Sequence, residues 1–328
     1  MTIEFSQIAA SPNLLDEDDV LPMLRAWRQQ GLRTALVTLV GVEGGAPRQP
    51  GAQMAVAEDG RYVGYLSGGC LEQAVALEGK AVIEAGANRL VRYGKGSPYF
   101  DIRLPCGSGL DLYFDQALGN SELDAMFARR ALRETCVLRT DLETGRSTVD
   151  TRDGPIAASR RESNAFQRVY PAPIRLALIG NGPALTGIAR LAQATGLDIA
   201  VWSTDEPTRE QLRASGIASA SDDAGLDEVV ASLDAVSAAV VVFHDHEAEP
   251  RILSKLLRTS CFYLGVLGNQ SVHRARVEAL RHMGLSDVAL ARLHAPVGSI
   301  PNAKSKTTFA FGVLAELLAE AKAKHLVA

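Results

Sequence analysis

A mixed α+β N-terminal domain followed by a parallel, doubly wound α/β domain is the fold class the sequence predicts, on three observations. Strand and helix patterns fill the first 150 residues without regular alternation. From Thr151 to Pro173, "RDGPIAASRRESNAFQRVYPAP" mixes charge, Ser and Pro with no period. Beyond it, "IRLALIGNGPALTGIARLAQATGLDIAVWSTD" reads as strand, glycine turn, helix and strand, one βαβ unit. The predicted organisation is therefore an α+β domain over 1–150, a linker over 151–173, and a Rossmann-like domain with C-terminal helices over 174–328. A chain of 328 residues is long enough for roughly two independent cores.

Within the first domain, Asp18 or Asp19 caps a helix whose Val20, Met23, Leu24 and Trp27 fall on one face, ending near Gly31. "TALVTLVGV" is too uniformly apolar for an exposed edge strand. "AQMAVAEDGRYVGYLS" predicts a hairpin turning at Asp59-Gly60, where a type I′ turn needs residues that tolerate positive φ. A helix begins near Cys70. Strand patterns "NRLVRYG" and "GLDLYFD" follow, separated by a loop with Leu104-Pro105-Cys106-Gly107. A helix from about Glu122 to Arg133 and a hairpin, "CVLRTDLETGRSTVDT", close the domain.

In the second domain "SAAVVVFHDHE" and "CFYLGVLGNQ" supply two more buried strands, with a helix, "PRILSKLLRT", between them. Val272 to Met283 and Thr308 to Ala323 are amphipathic helices. The turn Gly180-Asn181-Gly182 matches the first two glycines of a dinucleotide fingerprint, but Leu185 stands at the third. The second strand ends Val201-Trp202-Ser203, with Asp205 two residues beyond the place where an acid would hold ribose hydroxyls. Gly180 and Gly182 are candidates for a phosphate-bearing ligand, or simply make the turn. NAD(P) is not expected.

A net charge of −4 excludes a protein devoted to nucleic acid or to anionic membrane, both of which demand a basic face. The N-terminus lacks the basic and apolar regions of a secretory signal, no apolar run approaches a membrane span, and the expected compartment is the cytoplasm. Cys70, Cys106, Cys136 and Cys261 are far apart and predict reduced thiols.

Six segments stand together: "VEGGAPRQPGAQMAV", "YLSGGCLEQAV", "LPCGSGLDLYF", "FHDHEAE", "YLGVLGNQSVHRARVEAL" and "LSDVALARLHAPVGSIPNAKSKTTFAFGVLAELL". In order and spacing they resemble the XdhC/CoxI family of maturation factors for molybdenum hydroxylases, across almost the whole chain. The resemblance implies a chaperone without turnover of its own. It would bind the molybdenum cofactor (molybdopterin or its cytosine dinucleotide form), protect it during sulfuration, and insert it into an apo hydroxylase of the xanthine dehydrogenase or aldehyde oxidoreductase type. A cysteine desulfurase and a molybdopterin nucleotidyltransferase are further partners it implies. Pro183, Leu185 and Ser203 depart from the histidine, small residue and aspartate common in the family.

The motifs then acquire roles. A thiol at a helix N-terminus meets unpaired N–H groups and the positive end of the helix dipole, which favour thiolate. Behind Ser67, Gly68 and Gly69, which let a bulky ligand approach the backbone, Cys70 is the first candidate contact to molybdenum or cofactor sulfur, and Cys106 the second. The bland alternative for Cys70 is a small buried hydrophobe; Cys136 and Cys261 are assigned to the core. Arg48, in a Gly/Pro-rich loop, is placed to hold a pterin phosphate. His244 and His246, past the end of a buried strand, are expected to make polar contacts to a ligand rather than a metal site, and His273 to pair with a cofactor phosphate. A homodimer or larger assembly is expected, because a bulky, oxidation-prone cofactor needs a deep cleft. The competing function is an NAD(P)-dependent oxidoreductase built on the Rossmann-like half.

Overall fold

The computed structural model describes residues 19–67, 71–97, 107–151, 158–243 and 249–327. The chain divides into two compact units, Met1–Pro171 and Ala172–Ala328.

The first unit opens with α1 (Leu21–Gln29), where Leu21, Leu24 and Trp27 are buried among Leu36, Leu123 and Met126. Each such side chain contributes about 1.5–3 kcal/mol when fully buried. β1 (Thr34–Glu43) is buried along its first seven residues, Thr34 to Val40, because both faces of this central strand are covered, Val37 and Leu39 packing with Val75 on one and Leu36 with Leu24 on the other. β2 (Gln53–Ala57) and β3 (Tyr62–Gly64) form the expected hairpin around Asp59-Gly60. α2 (Glu72–Ala85), β4 (Arg89–Gly94) and β5 (Gly109–Asp115) complete an antiparallel sheet ordered β3-β2-β1-β5-β4.

α3 (Asn120–Ala131) leads into β6 (Cys136–Asp141) and β7 (Ser147–Thr151), again the expected hairpin. The stretch expected to be a linker departs from that expectation. β8 (Arg160–Glu162) and β9 (Ala165–Tyr170) lie inside it and complete a second sheet ordered β7-β6-β9-β8. Phe166, Val169 and Tyr170 are buried, and the Tyr170 hydroxyl donates to Gln53 Oε1 at 2.9 Å. Gln167 and Arg168 interrupt the apolar residues, so "AFQRVY" has no period of two, and pairing with β6 makes the strand.

The second unit comprises β10 (Arg175–Gly180), α4 (Pro183–Ala194), β11 (Asp198–Trp202), α5 (Glu206–Arg213), α6 (Asp223–Ala231) and β12 (Ser237–Val242). It continues with α7 (Glu249–Leu256), β13 (Tyr263–Val266), α8 (Gln270–His282), α9 (Asp287–Leu290), β14 (Leu293–His294) and α10 (Lys306–Ala323). The sheet, ordered β11-β10-β12-β13-β14, is parallel throughout. Leu176 and Leu178 point to one face, against Leu185, Ile188, Val313 and Leu317 of α4 and α10. Ala177 and Ile179 point to the other, against Leu226, Leu253 and Leu280 of α6, α7 and α8. Continuous apolar strands are what a parallel sheet covered on both faces requires. The fold class is the one predicted: α+β, then Rossmann-like.

Gly180 ends β10 with φ 143°, and a Cβ there would sit 1.9 Å from the Val242 carbonyl oxygen. Backbone cannot yield as a flexible side chain can. Gly180→Ala is expected to destabilise the second unit by about 3 kcal/mol or more, read as the midpoint of a denaturant melt of the full chain. An unchanged midpoint would refute this account of the turn.

Candidate functional site

In the first unit the antiparallel order brings several loops to one place. The carboxyl ends of β1, β3 and β4 and the amino ends of β2 and β5 share one edge of the sheet. The loop bearing Arg48, the segment from Tyr65 to Leu71, and Gly107-Ser108 all start or finish there. Gly68, Gly69, Cys70 and Cys106 lie outside the described residues, but their flanking residues, Ser67, Leu71 and Gly107, belong to this edge.

Glu72 organises the edge, although no motif singles it out. Only 5% exposed, its carboxylate accepts from the backbone N–H of Leu66 at 2.8 Å, of Ser67 at 2.7 Å and of Leu71 at 3.1 Å. The Ser67 hydroxyl donates to Glu72 Oε2 at 3.0 Å and accepts from the Leu71 N–H at 3.0 Å. Burial by itself would raise the pKa of this carboxyl, yet the N–H groups of Ser67, Leu66 and Leu71 hold it down at about 2. One ionised side chain thus ties together both ends of the stretch that contains Cys70. The available signal was an acid in the first turn of a helix, right after "SGGCL".

This geometry alters the argument for a thiolate. α2 starts at Glu72 with Leu71 as its N-cap, so Cys70 precedes the helix by two positions. The positive helix end already faces the Glu72 carboxylate, which opposes a second negative charge nearby.

Arg48 stacks on Tyr65, its guanidinium carbon 4.4 Å from the ring centroid, and Nη1 donates to the Tyr65 hydroxyl at 2.9 Å. The half-buried guanidinium is thereby fixed against an aromatic ring instead of roaming as a surface charge. At the same end of the sheet Arg92 pairs with Asp111 at 3.0 Å and with Glu43, and Lys95 pairs with Glu43 at 2.8 Å. Cys136 and Cys261 are buried, and burial pushes both thiols up, in keeping with core roles.

In the second unit the glycine turn is tied into its own surroundings. The Gly182 N–H donates to Thr208 Oγ1 at 2.7 Å, and the Thr208 hydroxyl donates to Asp205 Oδ2 at 2.5 Å. Asp205 also caps α5 by accepting the Thr208 N–H at 3.0 Å. Ser203 is fully buried and donates to Asn181 Oδ1 at 2.8 Å. The acid nearest the ribose position is therefore a helix cap, and Leu185, also fully buried, belongs to the core.

His244 and His246 lie outside the described residues. His273 is half-buried at the start of α8; burial, and then the charge of Arg276, lower its pKa and favour neutral imidazole. Lys304, Lys306 and Arg274 are exposed. The late "HAPVG" segment is held by Glu316 of α10, which lies 3.4 Å from His294 Nδ1 and accepts the Gly298 N–H at 2.5 Å. That motif thus has a structural component that its sequence does not announce. Among the described residues no group of three or more His, Cys, Asp or Glu side chains has the arrangement of a metal site. None of the described helices is long and apolar enough to cross a membrane.

Residues 27–94 match the XdhC and CoxI family, and residues 176–317 match the XdhC Rossmann domain. The Escherichia coli molybdenum cofactor insertion chaperone PaoD is 36% identical over 88% of this chain and 83% of its own. The chain belongs to the XdhC and CoxI family. A protein of Bacillus subtilis described as a probable xanthine dehydrogenase component, 26% identical, covers 90% of this chain and 96% of its own. A crystal structure titled as a xanthine dehydrogenase from Bacillus halodurans superposes with a TM-score of 0.73 at 20% identity, covering 93% of this chain and 96% of that one, which establishes likeness of fold. The resemblance carried by the six motifs is borne out. The two XdhC-type matches fall one in each compact unit.

Proposed function

We propose that this protein is a chaperone that holds the molybdenum cofactor and inserts it into an apo molybdenum hydroxylase of the xanthine dehydrogenase or aldehyde oxidoreductase type. One observation carries the reading: in a chain 36% identical to a molybdenum cofactor insertion chaperone, one sheet edge gathers Arg48 on Tyr65, the Ser67–Glu72 bracket, and the flanks of both thiol-bearing segments. Arg48 would hold the phosphate of the cargo, and Cys70 and Cys106 would meet molybdenum or its sulfur ligands, soft donors matched to a soft centre. Molybdopterin and its cytosine dinucleotide are both candidate forms. The cytoplasm is the proposed compartment, and a cysteine desulfurase and a molybdopterin nucleotidyltransferase are proposed to act on the same cargo before delivery.

The oxidoreductase alternative has little support in the glycine turn, where Gly182, Ser203 and Asp205 are engaged within the fold. The deciding experiment incubates the purified chain with molybdenum cofactor and, separately, with NAD(P)H. Cofactor is expected to be retained, at a light-scattering mass of a dimer or larger, while calorimetry finds no micromolar binding of NAD(P)H. Tight, stoichiometric NAD(P)H with no retained cofactor would reverse the assignment, and a monomer that still holds cofactor would remove the oligomer.

A further inference from the structure

Arg28, in the last turn of α1, lacks the counter-ion that its neighbours have. Its Nε donates to Thr34 Oγ1 at 2.8 Å and its Nη1 to Asn120 Oδ1 at 2.9 Å, both neutral oxygens. Among the described residues no carboxylate stands within ion-pair distance of it, and its Nη2 has no hydrogen-bond partner. Arg25, by contrast, lies 3.4 Å from Asp124, and Arg33 lies 2.8 Å from Glu58. The charge of Asp115 reaches Arg28, but that buried carboxylate accepts from Asn88 Nδ2 at 3.0 Å and from the N–H groups of Ala117 and Leu118 at 2.9 Å. Burial, the larger influence, pushes the Arg28 guanidinium down from its ordinary range. A partly desolvated cation with donors to spare is stabilised by an acceptor that brings negative charge.

Space for that acceptor lies beside it. Arg28 and Asn120 together line two adjoining grooves of about 380 and 280 Å³. Arg33, Leu32 and Leu118 continue the first, and Arg25 and Leu123 the second. Among the described residues Asp124 is the one carboxylate on either lining, and Arg25 answers it. Glu122, in the first turn of α3, accepts from the Ser121 hydroxyl at 2.8 Å and lines neither groove. Both grooves are open rather than enclosed, a form suited to a chain segment laid across the surface and not to a small molecule, which needs a pocket around it. They lie where β1 begins and β5 ends, at the edge of the antiparallel sheet opposite the one that gathers Arg48 and Ser67.

We infer that the groove around Arg28 and Asn120 is a docking site for an acidic segment of a partner protein, a carboxylate of the partner closing on Arg28 and an apolar neighbour resting on Leu32. Charge complementarity singles out that occupant: Arg25, Arg28 and Arg33 outnumber Asp124 on the lining, whereas the chain as a whole carries −4 and disfavours acidic partners elsewhere. Arginine suits the role, because its planar fork matches a carboxylate and loses little freedom when Thr34 and Asn120 already hold it. Set at the opposite sheet edge from the proposed cargo contacts, the site leaves them free and does not depend on the chaperone reading.

The test measures, by fluorescence anisotropy at low salt, binding of a labelled peptide of repeating Glu-Glu-Leu to the full chain, with the Gln-Gln-Leu peptide as control. Arg28→Gln removes the charge. Asn120→Asp sets a carboxylate on Arg28 Nη1 with almost no change of shape, so it supplies the counter-ion from within and serves where Arg28→Gln fails to fold. Wild-type protein is expected to bind the acidic peptide about tenfold more tightly than the amide control, with affinity falling as salt is raised, and both variants to lose that preference. Cofactor retention should be the same in Asn120→Asp as in wild type. No preference for the acidic peptide in the wild type, or an undiminished preference in either folded variant, would overturn the docking site. Loss of cofactor retention in Asn120→Asp would overturn the assignment to a partner by making the groove part of the cargo site. A wild type that retains no cofactor yet keeps the peptide preference would defeat the chaperone reading alone.

Discussion

Glu72→Ala is expected to lower stability by roughly 3–5 kcal/mol, because the N–H groups of Leu66 and Ser67 lose their acceptor, that of Leu71 keeps only the Ser67 hydroxyl, and each buried unmade bond costs about 1–3 kcal/mol. In a unit of this size that corresponds to a fall in melting temperature of roughly 10 °C. The carboxyl titrates at about 2 in the folded chain against 4.5 as its ordinary value, a depressed folded pKa. Its contribution is therefore complete above 4.5 and lost as the pH falls toward 2, amounting to roughly 3 kcal/mol. Glu72→Gln removes the charge at every pH. The stability gap between wild type and Glu72→Gln should accordingly shrink as the solution is acidified through that window. Cofactor retention should also drop at temperatures where the variant is still folded, since the bracket around Ser67 to Leu71 has come apart. A Glu72→Ala protein that melts with the wild type, or a gap that does not narrow in acid, would defeat this account.

Cys70→Ser is expected to leave melting nearly unchanged while reducing cofactor retention and activation of the partner hydroxylase by about tenfold or more, as loss of a direct ligand does. Cys106→Ser should act in the same direction. If both thiols meet one cargo molecule, the double variant should lose less than the sum of the single losses, because either change alone already disturbs the shared contact. Cys136→Ser supplies the contrast: Cys136 is fully buried, and a hydroxyl in its place costs about 1–3 kcal/mol, so stability should fall while binding is spared. Glu72 follows Cys70 by two residues in the sequence, which adds a further readout. With that carboxylate present the Cys70 thiol should alkylate more slowly at neutral pH than in Glu72→Gln, as a nearby negative charge disfavours thiolate. Normal binding and delivery by a folded Cys70→Ser protein would assign the motif to its glycines and backbone instead.

The sequence by itself determined the fold class and many of the elements, the hairpin at Asp59-Gly60, the βαβ unit around Gly180, the burial of Cys136 and Cys261, and the family. These signals lie within a span of a few residues to about thirty: a period of 3.6 or 2, a turn dipeptide, a motif. Tertiary structure decided what depends on partners far along the chain or on competition for one acceptor. β9 reads as linker until β6 pairs with it and Tyr170 reaches Gln53, 117 residues away. Asp205 looks like a displaced ribose ligand until Thr208 claims it as a cap, linking the Gly182 turn to α5. Glu72 reads as an ordinary helical acid until its carboxylate collects the N–H groups on both sides of the Cys70 segment. Arg276 is one arginine among several until Glu249, 27 residues off, fixes one of its nitrogens and leaves the others without acceptors. Local patterns encode which backbone conformations are cheap, whereas the final partner of a buried polar group is chosen only when the chain closes around it and water is excluded.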